Sequence, residues 1–139
     1  MTSEAEPRRR HVLVADDEPH IGRIIKMKLE QGPFIVTLVY DGAEALEALE
    51  SDAPVDLVLL DLMMPRRSGL DVLAFVRNSP RLREVPCIIL TAAGQEQQHQ
   101  QAMALGASAF ITKPFSPKKL YQLTLDLAGL TAESAGDAQ

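Results

Sequence analysis

Short apolar runs alternate with segments of helical periodicity along this chain, and the alternation repeats five times. The apolar runs are four to six residues long and are bounded by polar residues, a pattern typical of buried strands. The segments between them carry apolar residues at helical spacing. The predicted strands are Val12–Ala15, Phe34–Val39, Val55–Leu60, Cys87–Leu90 and Ala109–Thr112.

Local signals predict where the helices begin. Asp41 and Ser68 each stand three residues before an acidic residue, which is the spacing of a capping box. Pro19 and Pro117 can each occupy the first turn of a helix, where the missing N–H of proline is harmless, and Ser116 directly before Pro117 is a further predicted cap. The predicted apolar stripes are Ile21, Ile24, Ile25, Met27 and Leu29 in the first helix, Leu70, Val72, Leu73 and Phe75 in the third, and Leu120, Leu123 and Leu127 in the fifth.

This order of elements predicts an α/β fold. Strands that are apolar on both faces have to be covered on both, which favours a parallel sheet between two layers of helices. We expect five strands and five helices in one domain over residues 11–130. Residues 1–10 and 131–139 are small, polar or charged, and we expect them to be flexible tails.

Composition narrows the class of protein. A net charge of −5 disfavours a general nucleic-acid binder, because phosphate backbones attract basic surfaces. Cys87 has no cysteine to pair with and lies in an apolar run, so we expect a buried thiol in a reducing compartment. No apolar run approaches the length of a membrane span, and the run after Arg8–Arg10 is too short for a signal peptide. We therefore expect a cytoplasmic protein with no membrane partner.

Polar residues that suit phosphoryl chemistry follow four of the five predicted strands. Asp16 and Asp17 follow the first strand and Asp61 follows the third. Thr91 follows the fourth and Lys113 the fifth. The carboxyl ends of parallel strands meet at one edge of a sheet, where ligands bind. Each residue alone is typical of a solvated loop, but together they place three carboxylates, a hydroxyl and an ammonium on one rim.

These groups indicate a divalent metal and phosphoryl transfer. Crowded carboxylates repel one another, and a bound Mg²⁺ relieves that repulsion and can offset the charge of a phosphoryl group. Lys113 supplies a compact positive charge and Thr91 a hydrogen-bond donor. Aspartate can form a covalent acyl phosphate. Asp61 is the candidate nucleophile because it follows the central and most apolar strand.

With these residues in view, the chain resembles a response-regulator receiver domain, the CheY-like acceptor component of two-component signalling. The resemblance covers about residues 12–130 and implies a doubly wound, flavodoxin-like sheet with strand order 2-1-3-4-5. Four motifs in this order at strand ends are highly specific. They are Val-Ala-Asp-Asp-Glu at 14–18, Asp-Leu-Met-Met-Pro at 61–65 with Ser68-Gly69, Leu-Thr-Ala at 90–92, and Phe-Ile-Thr-Lys-Pro-Phe at 110–115.

The resemblance implies that Asp61 accepts a phosphoryl group from the phosphohistidine of a kinase or phosphotransfer protein. It implies that Asp17 and Asp61 bind Mg²⁺ directly, for which Mn²⁺ can substitute. The backbone carbonyl of Met63 would be a third protein ligand, and Asp16 would act through a metal-bound water. Such a protein is a phosphoacceptor switch whose only reactions are its own phosphorylation and slow autodephosphorylation.

The remaining rim residues also receive roles from the resemblance. Thr91, Ala92 and Lys113 would hold the phosphoryl oxygens, and the bond between Lys113 and Pro114 would be cis. Thr91 and Phe110 would form the switch, with Phe110 rotating inward to fill the space that Thr91 vacates. A buried core position is the alternative for Phe110.

Two further positions would tune the lifetime of the acyl phosphate. Met63 and Ala93 lie two residues beyond Asp61 and Thr91, and neither side chain can orient an attacking water. We therefore expect slow hydrolysis.

The resemblance also indicates partners. We expect the kinase or phosphotransfer protein to contact the rim and the first helix, with His20, Ile21 and Ile24 as candidates. We expect a downstream protein to bind the face made by the fourth helix, fifth strand and fifth helix, in a monomer or a weak phosphorylation-dependent dimer. No output domain is recognisable, so we expect a single-domain regulator, with a fragment of a longer one as the alternative.

Three other functions share parts of the pattern. A haloacid-dehalogenase-type phosphatase needs an acid two residues after its nucleophile, where this chain has Met63. A flavodoxin needs a Ser-, Thr- and Gly-rich loop after the first strand, where Asp16 and Asp17 would repel phosphate. A scaffold that acts without phosphorylation stays open from sequence alone.

Overall fold

Strand and helix alternate five times along residues 9–130, the part of the chain that the computed structural model describes. The strands are β1 Arg10–Ala15, β2 Phe34–Val39, β3 Leu57–Asp61, β4 Cys87–Thr91 and β5 Ala109–Thr112. The helices are α1 Pro19–Leu29, α2 Gly42–Glu50, α3 Gly69–Asn78, α4 Glu96–Ala104 and α5 Pro117–Leu127.

The five strands form one parallel sheet in the order β2-β1-β3-β4-β5, as expected. β3 is central, and its last residue, Asp61, lies opposite Leu90 of β4. On the next strand pair, Thr91 lies opposite Thr112. This register brings the carboxyl ends of β3, β4 and β5 to one edge of the sheet, and that edge carries the candidate site.

Two hydrophobic cores fill the space between the sheet and its two helical layers. One core packs α1 and α5 against the sheet through residues such as Ile25 and Leu120. The other packs α2, α3 and α4 against the opposite face through residues such as Leu49, Leu73 and Ala102. Because both faces are covered, β3 and β4 are buried along their whole length. The continuous apolar character of these strands therefore follows from their position.

Three of the helix starts are capped by the residues that the sequence predicted. The Asp41 carboxylate accepts the Glu44 N–H at 2.8 Å. The hydroxyls of Ser68 and Ser116 likewise accept the N–H groups three residues further on. These caps satisfy amides that have no partner within the helix.

The strand starts differ from prediction at two places. β1 begins at Arg10, within the segment expected to be a tail, because its N–H donates to the Pro33 carbonyl at 2.9 Å. β3 begins at Leu57 and not at Val55, because the Asp56 carboxylate accepts the His11 N–H at 2.7 Å. The expectation of flexible tails at residues 1–8 and 131–139 lies outside the described residues.

The apolar stripe predicted for α1 was partly wrong. Ile24 is 43% exposed and Met27 is 69% exposed. The buried positions are Gly22, Ile25 and Leu29. Gly22 belongs to this face because a Cβ there would lie 3.3 Å from the Leu38 side chain. The helix therefore presents two large apolar side chains to solvent.

The core face of α5 was also predicted only in part. Leu120 is buried as expected, but its buried companions are Thr124 and Leu125. Leu123 and Leu127 are partly buried at the margin of the core. Thr124 can be buried because its hydroxyl donates to the Leu120 carbonyl at 2.8 Å. Among the described residues, no helix has the length and apolar character that a membrane crossing requires.

Candidate functional site

Four of the predicted site residues meet at the carboxyl edge of the sheet. Asp61 ends β3 and Thr91 ends β4, and both are buried. Asp16 directly follows β1 and is 1% exposed. Lys113 directly follows β5, and its N–H donates to the Thr91 carbonyl. The fold therefore brings together residues that are up to 97 positions apart in the sequence (16 to 113).

The Lys113 ammonium lies among three carboxylates. Its Nζ is 2.9 Å from Asp16 Oδ2, 3.0 Å from Asp61 Oδ2 and 3.1 Å from Glu18 Oε1. The Lys113 side chain is 16% exposed and those of Asp16 and Asp61 are buried, so these two contacts are only weakly screened by water, whereas the Glu18 side chain is 50% exposed. One cation therefore balances three anions, and the cluster keeps a net negative charge.

The pKa values of Asp61 and Lys113 reflect both their burial and their contacts with neighbouring charges. Burial raises the pKa of Asp61 from 3.8 to about 6, although the charge and hydrogen bond of Lys113 act in the opposite direction. Burial by itself lowers the pKa of Lys113, but its close contact with the Asp16 carboxylate and the charge of Asp61 raise that pKa above its ordinary value. Lys113 therefore stays protonated. The negative charge of the Asp61 carboxylate is only partly compensated by the Lys113 ammonium.

Oxygen atoms of Asp16, Glu18 and Asp61 lie within 4.8 Å of one another, close enough to ligate one ion. Asp16 Oδ1 accepts the Glu18 N–H at 2.9 Å. Asp16 Oδ2 is buried and accepts no well-oriented hydrogen bond from any residue that the structure describes, despite its short contact with Lys113. A buried carboxylate oxygen without a donor, within a net negative set of oxygen ligands, fits a hard divalent cation such as Mg²⁺.

The membership of this cluster differs from the expected ligand set. Asp17 is exposed, and its carboxylate is not part of the cluster, whereas the Glu18 carboxylate is. Sequence reasoning assigned no role to Glu18. The only available signal was the unbroken acidic run from Asp16 to Glu18, and such a run does not tell which side chains turn toward the sheet.

The loop after β3 fixes the orientation of Asp61. Asp61 Oδ1 accepts the Met63 N–H at 3.1 Å. The Gly69 N–H donates to the Leu62 carbonyl, and a Cβ on Gly69 would lie 2.4 Å from the Asp61 carbonyl oxygen. Glycine is therefore required where α3 begins, because any side chain would push this loop away. Met63 itself is 52% exposed at the rim.

The same loop is tied to the turn after β2. Arg66 has a positive φ of 69°, and its guanidinium binds the buried Asp41 carboxylate, with Nε 2.9 Å from Oδ2. The Gly42 N–H faces the Pro65 carbonyl in this contact. The cap role expected for Asp41 is confirmed, and its ion pair with Arg66 is an addition that local sequence did not indicate.

A small cavity lies beside Thr91. Its volume is about 100 Å³, and it is bounded by the start of α4 and by Thr112 of β5. In the loop that leads from β4 to α4, the Ala92 N–H donates to Gln95 Oε1 at 2.9 Å. Ala93 is exposed. Gln95 was another residue to which sequence reasoning assigned no individual role.

Phe110 lies on the outer side of β5 and is 44% exposed, so it is not a core residue. Its ring packs on the His99 imidazole of α4, with ring centroids 3.9 Å apart. The predicted cis bond between Lys113 and Pro114 is present. Cys87 is buried as expected, and burial raises the pKa of its thiol to about 11.

Comparisons with known proteins define the class to which this protein belongs. Residues 12–124 match the family model for the response regulator receiver domain. The chain is 38% identical over 111 residues to the phosphate regulon transcriptional regulatory protein PhoB of Klebsiella pneumoniae, covering 80% of this chain and 48% of that protein. It is also 38% identical over 124 residues to the response regulator SaeR of Staphylococcus epidermidis, covering 89% of this chain and 52% of that protein.

Solved structures agree with this assignment. The Francisella response regulator 1452 receiver domain has a TM-score of 0.77 at 31% identity, covering 87% of this chain and 98% of that one. The chemotaxis response regulator CheY4 of Vibrio cholerae has a TM-score of 0.79 at 27% identity, covering 86% and 98%. The chain therefore belongs to the response regulator receiver family of two-component signalling. It spans about half the length of the curated relatives it matches.

Family membership confirms two of the expectations drawn from sequence. The chain has the CheY-like receiver fold, with its five-stranded parallel sheet in the order 2-1-3-4-5. Receiver domains act as phosphoacceptor switches and bind Mg²⁺ through an acidic pocket. In this chain, Asp16, Glu18 and Asp61 form an acidic cluster at the carboxyl edge of the sheet.

Proposed function

We propose that Asp61 accepts a phosphoryl group from a histidine kinase or a histidine phosphotransfer protein. The observation that carries this proposal is the position of Asp61 at the end of the central strand, with its Oδ2 3.0 Å from the Lys113 ammonium. The strands β1 and β4 flank β3 on both sides and fix the position of this carboxylate. Positioning and charge stabilisation are the main contributions that a protein makes to phosphoryl transfer.

In the proposed reaction, a carboxylate oxygen of Asp61 bonds to phosphorus while the bond between phosphorus and the donor imidazole nitrogen breaks. The imidazole leaves with the electron pair. The hydrogen bond from the Met63 N–H to Asp61 Oδ1 leaves Oδ2 as the oxygen facing Lys113. After transfer, the Lys113 ammonium, the Thr91 hydroxyl and the Ala92 N–H would bind phosphoryl oxygens.

Mg²⁺ is the proposed cofactor, and Mn²⁺ can substitute for it. Asp16 and Asp61 would hold the ion, together with Asp17 and the backbone carbonyl of Met63. When bound, the ion offsets the negative charge that the carboxylates and the phosphoryl group bring to one place. The buried Asp16 Oδ2, which has no well-oriented donor among the described residues, supports this use.

Variants at the adjacent residues Asp17 and Glu18 distinguish which of the two carboxylates binds the metal. If Asp17 binds the ion, Asp17→Asn weakens Mg²⁺ binding in a titration by about tenfold or more, as loss of a charged ligand should. Glu18→Gln would then have a smaller effect, because its carboxylate contacts Lys113. A larger loss of Mg²⁺ affinity in Glu18→Gln than in Asp17→Asn would indicate that Glu18 is the ligand.

The proposed output is a change of shape at the face made by α4, β5 and α5. A phosphoryl group adds nearly two negative charges and three acceptor oxygens to the rim. Thr91 would move to donate to one of these oxygens, and the Phe110 ring would turn inward toward the cavity beside Thr91. The two packings would be in equilibrium, with phosphorylation shifting the population.

The proposed partners are proteins. His20 and Ile24 on the exposed side of α1, next to the rim, are candidate contacts for the kinase or phosphotransfer protein, in the cytoplasm. A downstream protein would bind the α4-β5-α5 face, either to a monomer or to a weak phosphorylation-dependent dimer. The net charge of −5 disfavours direct binding of this segment to nucleic acid.

Phosphorylation is tested by incubation with acetyl phosphate and Mg²⁺ followed by intact-mass measurement. We expect the mass of one phosphoryl group to be added to the wild type and not to Asp61→Asn. Asp56→Asn is the matched control, because Asp56 lies directly before β3, at the end away from Asp61, and its carboxylate accepts the His11 N–H. No mass gain, or an equal gain in Asp61→Asn, would favour a scaffold that works without phosphorylation.

A further inference from the structure

The turn between β4 and α4 is closed by a pair of reciprocal hydrogen bonds. The Ala92 N–H donates to Gln95 Oε1 at 2.9 Å, and the Gln95 N–H donates to the Ala92 carbonyl at 3.2 Å. The Gln95 side chain therefore turns back toward the strand. It does not cap the amides of α4, although Gln95 occupies the cap position of that helix.

The Ala92 N–H lies where the proposed function requires a donor. Asp61 lies opposite Leu90 in the β3–β4 register, and Ala92 follows Leu90 by two residues at the same edge of the sheet. Thr91 is buried between them, with 5% exposure. A backbone N–H at this place is a suitable donor to a phosphoryl oxygen, and a charged oxygen is a stronger acceptor than an amide oxygen. The donor, however, is already bonded to Gln95.

We propose that Gln95 is an intramolecular competitor of the phosphoryl group. Its side-chain carbonyl holds the Ala92 N–H in the unphosphorylated state, and a phosphoryl oxygen on Asp61 has to displace it. The competition lowers the stability of the phosphorylated state and sets a threshold for switching. This inference rests on the proposed phosphorylation of Asp61, and it assigns to Gln95 a role in regulating that site.

Displacement of Gln95 would also reach the output face. The Gln95 carbonyl accepts the His99 N–H at 2.8 Å in the first turn of α4, and the His99 imidazole packs on the Phe110 ring. Gln95 is thus hydrogen-bonded both to Ala92 and to His99, the residue that packs on Phe110. Release of its side chain removes a tie between the start of α4 and β4 when the phosphoryl group arrives.

The test measures binding of beryllofluoride, a phosphoryl analogue, in the presence of Mg²⁺. Gln95→Met keeps the length of the side chain but removes its acceptor. We expect it to bind the analogue about fivefold more tightly than the wild type, the factor that corresponds to one net hydrogen bond. Gln97→Met is the matched control, since Gln97 is exposed on the same helix, and it should bind as the wild type does.

A second variant and a second measurement separate competition from a general loosening of the loop. Gln95→Glu keeps an acceptor oxygen, so its affinity should be no higher than that of the wild type. Before the analogue is added, the Ala92 amide proton should exchange with solvent faster in Gln95→Met than in the wild type or in Gln97→Met. Together these results would support competition for one N–H group.

The outcomes also separate this inference from the proposed function. If the wild type binds beryllofluoride and Gln95→Met binds it equally or more weakly, Gln95 is not a competitor. A gain of affinity shared by Gln97→Met would likewise overturn the proposal. If neither the wild type nor Asp61→Asn responds to beryllofluoride or acetyl phosphate, the phosphorylation of Asp61 is wrong, and the inference falls with it.

Discussion

Asp61 has to be charged to act as a nucleophile, yet it lies where charge is disfavoured. Burial raises its pKa to about 6. Lys113 offsets only part of this effect because the same ammonium also contacts Asp16 and Glu18. The charged form of Asp61 is therefore destabilised in the folded protein, chiefly by burial. A divalent cation beside Asp61 would offset this cost, which would link the occupancy of the site to the stability of the fold.

Asp61→Asn should therefore stabilise the metal-free protein at neutral pH. Because the folded-state pKa lies above the ordinary 3.8, the folded protein binds more protons than the unfolded chain between about pH 4 and 6, and its stability falls as pH rises through that window. At about pH 7.5 without Mg²⁺, we expect the variant to be more stable by about 1–2 kcal/mol after allowance for solvent screening. Urea unfolding measures the difference.

The difference should largely disappear near pH 3, below the ordinary pKa of 3.8, because Asp61 is then protonated in the folded protein and in most of the unfolded chain. Asp126→Asn removes an exposed carboxylate of α5 and should show little change at either pH. Added Mg²⁺ should stabilise the wild type more than Asp61→Asn. A gain in Asp61→Asn that stays the same from about pH 3 to 7.5 would contradict this account of Asp61.

If Asp61 is phosphorylated as proposed, Met63 and Ala93 are the side chains that we expect to set the lifetime of its acyl phosphate. Met63 is 52% exposed and Ala93 is exposed, and neither can hydrogen-bond a water for attack on phosphorus. We expect the double variant Met63→Asn with Ala93→Glu to lose its phosphoryl group faster than the wild type, by about tenfold, because a polar side chain can now position that water. The decay is followed by intact mass after removal of acetyl phosphate.

A control separates water positioning from a general change in the loop. Met63→Leu with Ala93→Ser should decay at nearly the wild-type rate, because leucine offers no polar group and serine is too short to act as glutamate does. Equal decay of the wild type and the Asn–Glu variant would contradict the assignment of Met63 and Ala93 as the positions that set the lifetime.

The sequence predicted those site residues whose place depends on strand position alone. Asp61, Thr91 and Lys113 directly end or follow apolar strands, so a parallel topology was enough to bring them together. Glu18 and Gln95 were missed because their contacts depend on how a loop turns. Glu18 reaches Lys113, 95 positions away, and Gln95 reaches back to Ala92 within a four-residue turn. Neither arrangement has a signature in residue type or spacing.

At the scale of elements, signals within a few residues were reliable and signals about burial were not. The caps at Asp41, Ser68 and Ser116 were correct because a cap joins groups three residues apart. The stripe on α1 was partly wrong because Ile24 and Met27 do not share the three- and four-residue spacing of the buried Gly22, Ile25 and Leu29. At about 100° per residue, Ile24 lies about 100° and Met27 about 200° around the helix from Ile25, so both turn toward solvent.

One arginine joins three elements on the side of α3 away from the site. Arg77 Nε donates to the Gly106 carbonyl, and Nη1 donates to the carbonyls of Arg83 and Val85. These bonds hold the loop before β5 and the loop before β4 against the end of α3. The C-terminal end of α4 is thus anchored, while the start of α4 depends on the contacts of Gln95.

Arg77→Met should therefore destabilise the protein by about 2 kcal/mol, because it removes several hydrogen bonds from a charged donor while keeping the aliphatic stem. We expect faster hydrogen exchange in the loop around Gly106, measured by mass spectrometry on peptides. Arg83→Met is the matched control, since the exposed Arg83 contributes its carbonyl and not its guanidinium to this contact. Similar unfolding free energies for the two variants would show that Arg77 does not act as a clamp.

Across the whole molecule, the central strands that stabilise the fold are different elements from those that would move in the proposed switch. β1 and β3 are flanked on both sides by strands, and β3 is buried along its whole length. β5 is an edge strand with alternate residues exposed, and the helix that packs beside it, α4, is short and polar. In the proposed switch, α4 and β5 would move in response to a charge added at Asp61, because each contributes little to the two cores: Ala102 is the buried residue of α4, and Ile111 of β5 is partly buried.

This separation predicts that beryllofluoride with Mg²⁺ shifts NMR signals mainly within residues 91–109 and leaves those of α2 nearly unchanged. The His99 imidazole gives the sharpest readout, because the Phe110 ring 3.9 Å away shifts its proton resonances. If Phe110 turns inward, these resonances move toward ordinary positions, while those of His11, at the opposite end of β1, stay fixed.

In Phe110→Leu the His99 resonances should start near ordinary positions and respond little. Movement confined to the immediate neighbours of Asp61 would mean that the charge does not reach the output face, and the proposed switch would be wrong.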